Sequence, residues 1–361
     1  MADQLQLEKA ILERPNDPAA YAVYGDWLQA QGDPRGELVS VQAALASTRD
    51  TKRFMELKQT ESRLLTKVTE QLATNGKAVN LTWRFGFVHQ LEILDESLSL
   101  KTLLQHPALR FVQGIRLAVR VDNQSPILDE LIAARPPLLN RLELHRGAFH
   151  NLLAFQKTFP ALKHLIVDRI APEAFDPSVL LAWTELRTLE LTTITSGALA
   201  TTLRSAPWKK LRRLSLRVHP TAEHTVVIDD LAPALALPEL KHIGVTMTVD
   251  GVMRAISSRQ NLSALQELTL FDFCTDVRLA PLLQRKEALR GLKLVIHDGE
   301  ISQETERNLR KAVKGLALGA VTVFAQDEAG VHEMDDDEAR SWRERQEKLE
   351  KQSDYNHDDW N

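Results

Sequence analysis

The sequence is poor in cysteine: Cys274 is its single thiol among 361 residues. One thiol cannot form a disulfide within the chain, and this usage is typical of a reducing compartment. The chain also lacks an opening basic segment followed by an apolar run, and no apolar stretch approaches the roughly 20 residues that a membrane-spanning helix needs. We therefore expect a cytoplasmic protein with no membrane partner.

Motifs that mark common active sites are also missing. The sequence has no glycine-rich phosphate loop, no G-x-S-x-G nucleophile elbow and no H-E-x-x-H metal motif. Cys274 is better explained as a small buried apolar residue than as a nucleophile. We expect no enzyme activity, no catalytic residue and no cofactor.

Charge is unevenly distributed along the chain. The formal net charge is −4, yet the stretch from Asp327 to Asn361 carries 13 acidic and 5 basic side chains. The first 326 residues hold 36 acidic and 40 basic side chains. Because this body is nearly neutral, it offers phosphate backbones little attraction, and we expect no nucleic-acid partner.

One short phrase recurs ten times between Val88 and Val323, with apolar residues at its first, fourth and sixth positions. Successive phrases are 23 to 29 residues apart, and they end at Ile93, Leu117, Leu144, Val167, Leu191, Leu216, Val245, Leu270, Leu294 and Val323. This spacing and the L-x-x-L-x-L pattern are those of leucine-rich repeats. The chain resembles that family over about two thirds of its length.

The resemblance implies an α/β solenoid shaped like a horseshoe. Each coil would add one strand to a parallel sheet on the concave side and one helical segment to the convex side. Prolines precede many of the phrases, at 107, 137, 160, 207 and 238, where they end a helix and turn the chain into a strand. The asparagine that bridges coils in standard subfamilies is absent from its column, so we expect an irregular array whose turns satisfy their backbone groups differently.

Residues 1–48 read as a helical unit in front of the array. The runs Tyr24–Leu28 and Gly32–Glu37 resemble the repeat-companion domain of bacteria, whose phrase is close to L-x-Y-A-D-W-L-x-x-x-G-D-P-R-G-E. The resemblance covers roughly residues 8–46 and implies a helical unit before leucine-rich repeats, without a known chemistry. Trp27 and Arg35 are either structural residues of this unit or part of a docking surface.

Residues 49–82 carry a one-sided apolar stripe typical of an amphipathic helix. Its expected role is to cover the first coil, because a repeat array exposes its core at each end. A coiled-coil dimer is the alternative. The array itself is predicted to span 83–326, with its first strand entered through Trp83–Val88.

The candidate binding residues lie on the concave sheet, where the side chains before, between and after the inward leucines reach solvent. This mixture of charges with a few aromatic rings is typical of protein-binding surfaces rather than of a phosphate track, although a merely solvated sheet explains it too. The residues are Arg116, Arg141, Glu143, His145, His164, Asp168, Glu190, Arg213, Arg217 and Phe271.

His145 and Asp168 occupy the same column on adjacent predicted strands. Sheet geometry places them about 4.8 Å apart, with His164 nearby. A structural metal site needs four convergent ligands, which the spacing does not supply, so we expect no metal.

The stretch 327–361 begins with the acidic cluster Asp335–Glu338 and has too few apolar residues for a core. We expect a disordered segment or a solvated helix. The alternative is a linear docking motif anchored by Tyr355 and Trp360. A further option is that the stretch folds back onto basic residues of the array and competes with the partner.

These features predict a non-enzymatic scaffold or adaptor that binds an unknown protein partner through the concave face. The alternative is a regulatory or specificity subunit of an enzyme complex, with the acidic stretch as a docking or self-inhibiting motif. The sequence leaves the partner's identity and the oligomeric state open.

Overall fold

The computed structural model describes residues 3–72, 78–119, 126–147, 152–170, 177–192, 207–217, 237–245, 265–284 and 286–324. The α-helices in these ranges are α1 (Gln4–Glu13), α2 (Pro18–Ala30), α3 (Pro34–Ser47), α4 (Thr51–Thr69), α5 (Leu100–Leu104), α6 (Ile127–Ala134), α7 (Leu152–Thr158), α8 (Asp276–Gln284), α9 (Lys286–Leu289) and α10 (Gln303–Ala312). Short 3-10 turns span Glu70–Leu72, Pro107–Leu109 and Pro177–Ala182. None of these helices is long and apolar enough to cross a bilayer.

The strands of the described residues form one sheet in chain order. They are β1 (Val79–Arg84), β2 (Phe87–Ile93), β3 (Gly114–Leu117), β4 (Arg141–Gly147), β5 (His164–Ile170), β6 (Thr188–Thr192), β7 (Arg213–Arg217), β8 (His242–Val245), β9 (Glu267–Thr275), β10 (Lys293–Ser302) and β11 (Gly315–Phe324). From β2 onward every neighbour is parallel. One strand per coil, followed by a helical segment in most of the coils whose connecting residues are described, is the leucine-rich repeat solenoid that the spacing predicts.

The apolar positions of the repeat form one continuous core. Leu91, Ile115, Leu142 and their counterparts as far as Leu294 are buried side by side between the sheet and the helical segments. Burying one such side chain contributes about 1.5–3 kcal/mol, and each coil relies on its neighbours for that burial. Cys274 is buried in the same core, as expected.

A backbone ladder joins the coils two residues before each inward leucine. We call this the lead-in position. The carbonyl of Lys163 accepts the N–H groups of Arg187 and Thr188 at 2.7 and 3.0 Å. The lead-in carbonyls of Gln113, Asn140, Arg187, Arg212 and Lys241 each accept two N–H groups of the next coil in the same way. This ladder satisfies backbone groups on the side that leads into the strands.

Two buried tryptophans tie consecutive coils together on the opposite side of the core. Trp183 donates its indole N–H to the Phe159 carbonyl at 2.9 Å, and Trp208 donates to the Leu180 carbonyl at 3.2 Å. A side chain thus bridges successive coils, as asparagine does in standard repeats, but from the returning segment.

The entry into the array differs from the prediction. We expected Trp83–Val88 to run into the first strand, but Phe85 and Gly86 form a tight turn, with φ of 52° and 76°, between antiparallel β1 and β2. Positive φ at both central residues is the turn that matches the twist of a hairpin. The array therefore begins with an additional antiparallel strand.

The last two phrases are shifted in register. Leu268 pairs with Leu294 and not with Leu292, and Leu294 pairs with Leu316 and not with Val323. In β10 the alternation of apolar residues continues through Leu292, Leu294 and Ile296, and a slip of two residues keeps the same face inward. The sequence pattern therefore fits both registers.

The N-terminal helices begin where the sequence indicates. Asp17 and Asp33 accept N–H groups of the first turn of α2 and α3, and a proline follows each of them. Gly36 allows the two helices to touch, because a Cβ there would lie 2.4 Å from the Gly25 carbonyl oxygen.

The helical unit packs directly onto the array. Tyr21 and Tyr24 of α2 contact Phe87 of β2 and Phe111, with ring centroids 5.7–6.1 Å apart. The buried Glu8 pairs with Arg110 at 2.6 Å. Trp27 stacks on Tyr24 and is half-buried, which fits the structural interpretation better than an exposed anchor. Arg35 is also buried and pairs with Asp33.

Helix α4 covers the start of the array through its C-terminal end. Val68 and Leu72, which follows the helix, join the array core, while Leu57 and Leu64 pack with residues of α3. Most of the apolar stripe is thus buried within the chain, whereas Phe54 at its start is exposed. The helical segments expected at 198–204 and 252–257 lie outside the described residues.

Candidate binding face

The side of the sheet that faces away from the helical segments is here called the open face; it is the concave side of the solenoid. Because side chains alternate along a strand, the open face carries the residues directly before, between and after the inward apolar pair. All ten candidate binding residues within the array lie on it, from Arg116 on β3 to Phe271 on β9.

A hydrogen bond and two ion pairs connect the first four strands on the open face. Asn80 donates to Glu92 at 2.9 Å, and Arg116 lies 3.3 Å from Glu92 and 3.7 Å from Glu143. Arg141 donates to Glu143 at 2.6 Å. These residues surround a cavity of about 130 Å³ above Gly114, where a strand contributes no side chain.

A second cavity adjoins the first and extends toward β7. Its volume is about 220 Å³, and Arg116 and Glu143 line both cavities. His145 lies 2.9 Å from Asp168 across β4 and β5, as the column alignment predicts. Glu190 and Arg217 complete its wall.

His164 lies along the same face on β5. Its Nδ1 is 3.0 Å from the Thr188 hydroxyl. Burial lowers the pKa of His164, and the charges of Arg141, Arg187 and Lys163 lower it further. The imidazole is therefore neutral at pH 7 and acts as a hydrogen-bonding group.

A carboxylate surrounded by cations lies farther along the open face. Glu267 is 3.0 Å from Lys293, 3.7 Å from His242 and 4.0 Å from Arg213. Burial alone would raise the pKa of Glu267, but the hydrogen bond and charge of Lys293 and the charges of His242 and Arg213 lower it overall. Burial and the Arg213 charge lower the pKa of His242, against the opposing effect of Glu267.

Phe271 reaches across a whole strand. Its ring lies over Gly244 of β8 and contacts Arg217 of β7, whose guanidinium carbon is 3.9 Å from the ring centroid. The ring of His297 lies 4.7 Å away on the other side. A Cβ on Gly244 would lie 2.8 Å from the Phe271 ring, so this stack requires glycine on the intervening strand.

The structure thus groups the candidate residues into three sets: Arg116, Arg141 and Glu143; His145 and Asp168, beside Glu190; and Arg217 with Phe271. Arg213 joins His242, Glu267 and Lys293, of which our sequence-based set contained none. Glu267 occupies the column directly before the inward leucines. That column predicts a side chain on the open face, but Glu267 was not chosen as a candidate. Lys293 lies between Leu292 and Leu294, which predicts a place on the open face, but it was not chosen as a candidate. His297 lies three residues after Leu294, outside the columns from which candidates were taken.

The two remaining candidates, Tyr355 and Trp360, lie outside the described residues. Within the described part of the chain, no three His, Cys, Asp or Glu side chains are placed to hold a metal ion together.

Comparison with protein-family models and with curated proteins gives no match. Among solved structures, an internalin (inlF) from Listeria monocytogenes is similar at 13% sequence identity and a TM-score of 0.33, over 75% of this chain and 93% of the internalin. An internalin C2 (inlC2) from the same organism is similar at 16% identity and a TM-score of 0.31, over 66% of this chain and 81% of the internalin. The fold assignment rests on the strand order and register of this chain itself.

Proposed function

We propose that this chain is a non-enzymatic scaffold or adaptor that binds a protein partner through the open face. The observation that carries the proposal is the pair of adjoining cavities, whose walls are made by ion-paired side chains from successive strands. The partner would contact Arg141, His145, Asp168 and Arg217 together.

The size of the open face supports a protein partner. Ten parallel strands at about 4.8 Å spacing give a surface about 43 Å long. A stable protein interface buries about 800 Å² on each side, which a strip of this length and about 20 Å width supplies. Each of the two cavities is smaller and more polar than a typical small-molecule pocket, which is mostly apolar and about 300–1,000 Å³.

The side chains on the open face are held in place before any partner arrives. Arg116 and Arg141 share Glu143, and Phe271 fixes Arg217. Fixed side chains lose less rotational freedom on binding, where each free one costs about 0.5–1.5 kcal/mol. Arginine and aromatic rings are also the residues that dominate interface energies.

The partner surface is expected to differ along the array. The β2–β6 half of the open face presents alternating acidic and basic groups, whereas the β7–β10 half presents Arg213, Arg217 and Lys293 around one carboxylate. A complementary partner would carry mixed charges opposite the first half and acidic or aromatic groups opposite the second half. We place this interaction in the cytoplasm on the evidence of the single, buried cysteine.

Affinity capture followed by mass spectrometry tests the proposal. The intact chain is compared with the variant Arg141→Glu/His145→Ala/Arg213→Glu, and the variant should lose the captured partner. The control Lys101→Glu/Lys157→Glu reverses two exposed charges on α5 and α7, away from the open face, and should keep it. Circular dichroism and thermal unfolding must first show that both variants are folded. Retention of the partner by the open-face variant, with loss in the control, would contradict the proposal.

A further inference from the structure

The backbone ladder places four basic residues in one line. Lys163, Arg187, Arg212 and Lys241 occupy the lead-in position of four consecutive coils, and successive N–H to carbonyl distances between them are 2.7, 2.9 and 2.9 Å. At about 4.8 Å per strand, the four residues extend along about 15 Å of one edge of the open face. We call them the basic row.

Two carboxylates lie close to the row. Glu185 pairs with Lys210 and interacts electrostatically with Lys163 and Arg187 at longer range. Arg187, Arg212 and Lys241 are exposed, and Lys163 is half-buried. Arg212 pairs with Glu239 at 3.0 Å, while no carboxylate of the described ranges forms an ion pair with Lys163, Arg187 or Lys241. The residues that follow Lys163, Arg212 and Lys241 along their strands add His164, Arg213 and His242 on the open face itself.

The strongest concentration of opposite charge is in the same chain. Residues 327–338 contain seven acidic side chains and no lysine or arginine, and they follow β11 after two residues. Residues 1–326 are nearly neutral overall but carry the basic row, and the acidic segment 327–338 follows them directly in the chain.

We infer that the acidic segment 327–338 binds the basic row of its own chain. The contact consists of carboxylates of Asp335, Asp336, Asp337 and Glu338 on the cations of the row, next to Arg213. If the segment binds there, it competes with a partner for this end of the open face, and this consequence rests on the proposed function. The contact between the segment and the row does not depend on the proposed function.

Chain length permits the contact. The row lies at the end of the sheet where the strands begin, whereas Phe324 lies at the end where β11 finishes. The chain must therefore return along the length of β11, which is ten residues or about 33 Å. It must also cross three strand spacings, about 14 Å, to reach Lys241. The direct distance is about 36 Å, and the eleven residues from Phe324 to Asp335 span at most about 36–40 Å. Asp336, Asp337 and Glu338 extend this reach to Arg187 and Lys163.

Zero-length cross-linking with a carbodiimide tests the contact, because it joins only carboxylates and lysine amines that touch. Equal amounts of ¹⁴N- and ¹⁵N-labelled full chain are mixed, cross-linked and digested, and the products are identified by mass spectrometry. We expect products that join 335–338 to Lys163, Lys241 or the adjacent Lys209 and Lys210, each within one isotopic form. Their yield should fall in 0.5 M salt, where the Debye length is about 4–5 Å.

A pair of arginine variants tests whether the cross-linking depends on the basic row or on positive charge anywhere on the surface. Arg187→Gln/Arg212→Gln removes two cations of the row but leaves Lys163 and Lys241 available for cross-linking. Its cross-link yield should fall about fivefold, because each exposed contact is weak and half of the row is lost. Arg53→Gln/Arg63→Gln on α4 also removes two exposed arginines that have acidic partners, and its yield should be unchanged.

Three results would overturn the inference. Cross-links of 335–338 only to lysines other than Lys163, Lys209, Lys210 and Lys241, or no cross-links at all, would show that the segment does not bind the row. Products of mixed isotopic form would show contact between two copies. Equal yields from the two arginine variants would show nonspecific attraction. None of these results bears on the open-face variant, so the contact and the proposed function fail separately.

Discussion

At the scale of single residues, the contact between Arg217 and Phe271 depends on Gly244, which has no side chain and so leaves room for the Phe271 ring. Both were candidates from their column, yet their contact spans two strands, and column alignment relates only neighbours. Gly244 lies on the strand between them, one column earlier, where it pairs with Ser215 and Thr269. The sequence therefore predicts which of these side chains reach the open face but not that they meet, because the meeting depends on ring orientation.

Substitution of Gly244 tests this arrangement. Gly244→Ala places a Cβ 2.8 Å from the Phe271 ring, and we expect a loss of about 1–3 kcal/mol in the free energy of unfolding, as in other overpacked sites. Gly114→Ala, on the same face, meets only the flexible side chains of Gln90 and Arg141, at 3.2 and 3.7 Å, and should change stability by less than about 1 kcal/mol. Urea unfolding measures both.

The double variant Gly244→Ala/Phe271→Ala gives the matching control. Once the ring is removed, the alanine at 244 has no clash, so it should cost little in that background. An equal loss with and without the ring would show that Gly244 is required for its backbone conformation and not for the stack.

At the scale of elements, the repeat phrase predicts the parallel strands well because it repeats a chemical requirement: two apolar side chains on the same side of each strand. Strand β1 lacks that phrase and was missed, because Phe85-Gly86 is not one of the residue pairs that mark a two-residue hairpin turn in a sequence. The slip in β10 has a different cause. Leu292, Leu294 and Ile296 alternate without a break, and only pairing with β9 selects the register.

The hairpin turn also joins the helical unit to the array, which leads to a second prediction. Gly86 has φ of 76°, and a Cβ there would lie 2.8 Å from the Arg35 carbonyl oxygen on α3. Gly86→Ala should therefore lower the free energy of unfolding by more than about 2 kcal/mol, from backbone strain and from the clash.

Gly291→Ala is the matched control for that prediction. Its φ is 92°, but no atom lies within 4 Å of its Cβ position, so only the strain of about 1–2 kcal/mol applies. Thermal unfolding of the two variants measures the difference. Equal losses would show that α3 does not press on the hairpin.

At the scale of the whole molecule, the described histidines with shifted pKa values all shift in one direction. Burial, helped by neighbouring cations, lowers the pKa of His89, His106, His164, His242 and His297 below the ordinary value of 6.5. The unfolded chain then binds more protons than the folded chain as the pH falls through 6.5, so stability is present above this value and is lost below it.

We therefore expect the free energy of unfolding to decrease between pH 7.5 and pH 5.5. Asp33 and Glu267 have lowered pKa values and ordinary values of 3.8 and 4.5, so they contribute to loss only at lower pH. Urea unfolding at the two pH values measures the change, and His164→Gln/His242→Gln should reduce it. A protein that gains stability on acidification would contradict this assignment.

The central claim, that the open face holds a protein partner, is tested most directly by site-specific photocross-linking in cells. p-Benzoylphenylalanine replaces Ile166, in the wall of the second cavity, or Lys157, exposed on α7 on the opposite side. If a partner binds the open face, position 166 should give a discrete adduct with one protein and position 157 should give none. The same adduct from position 157, with none from position 166, would contradict it.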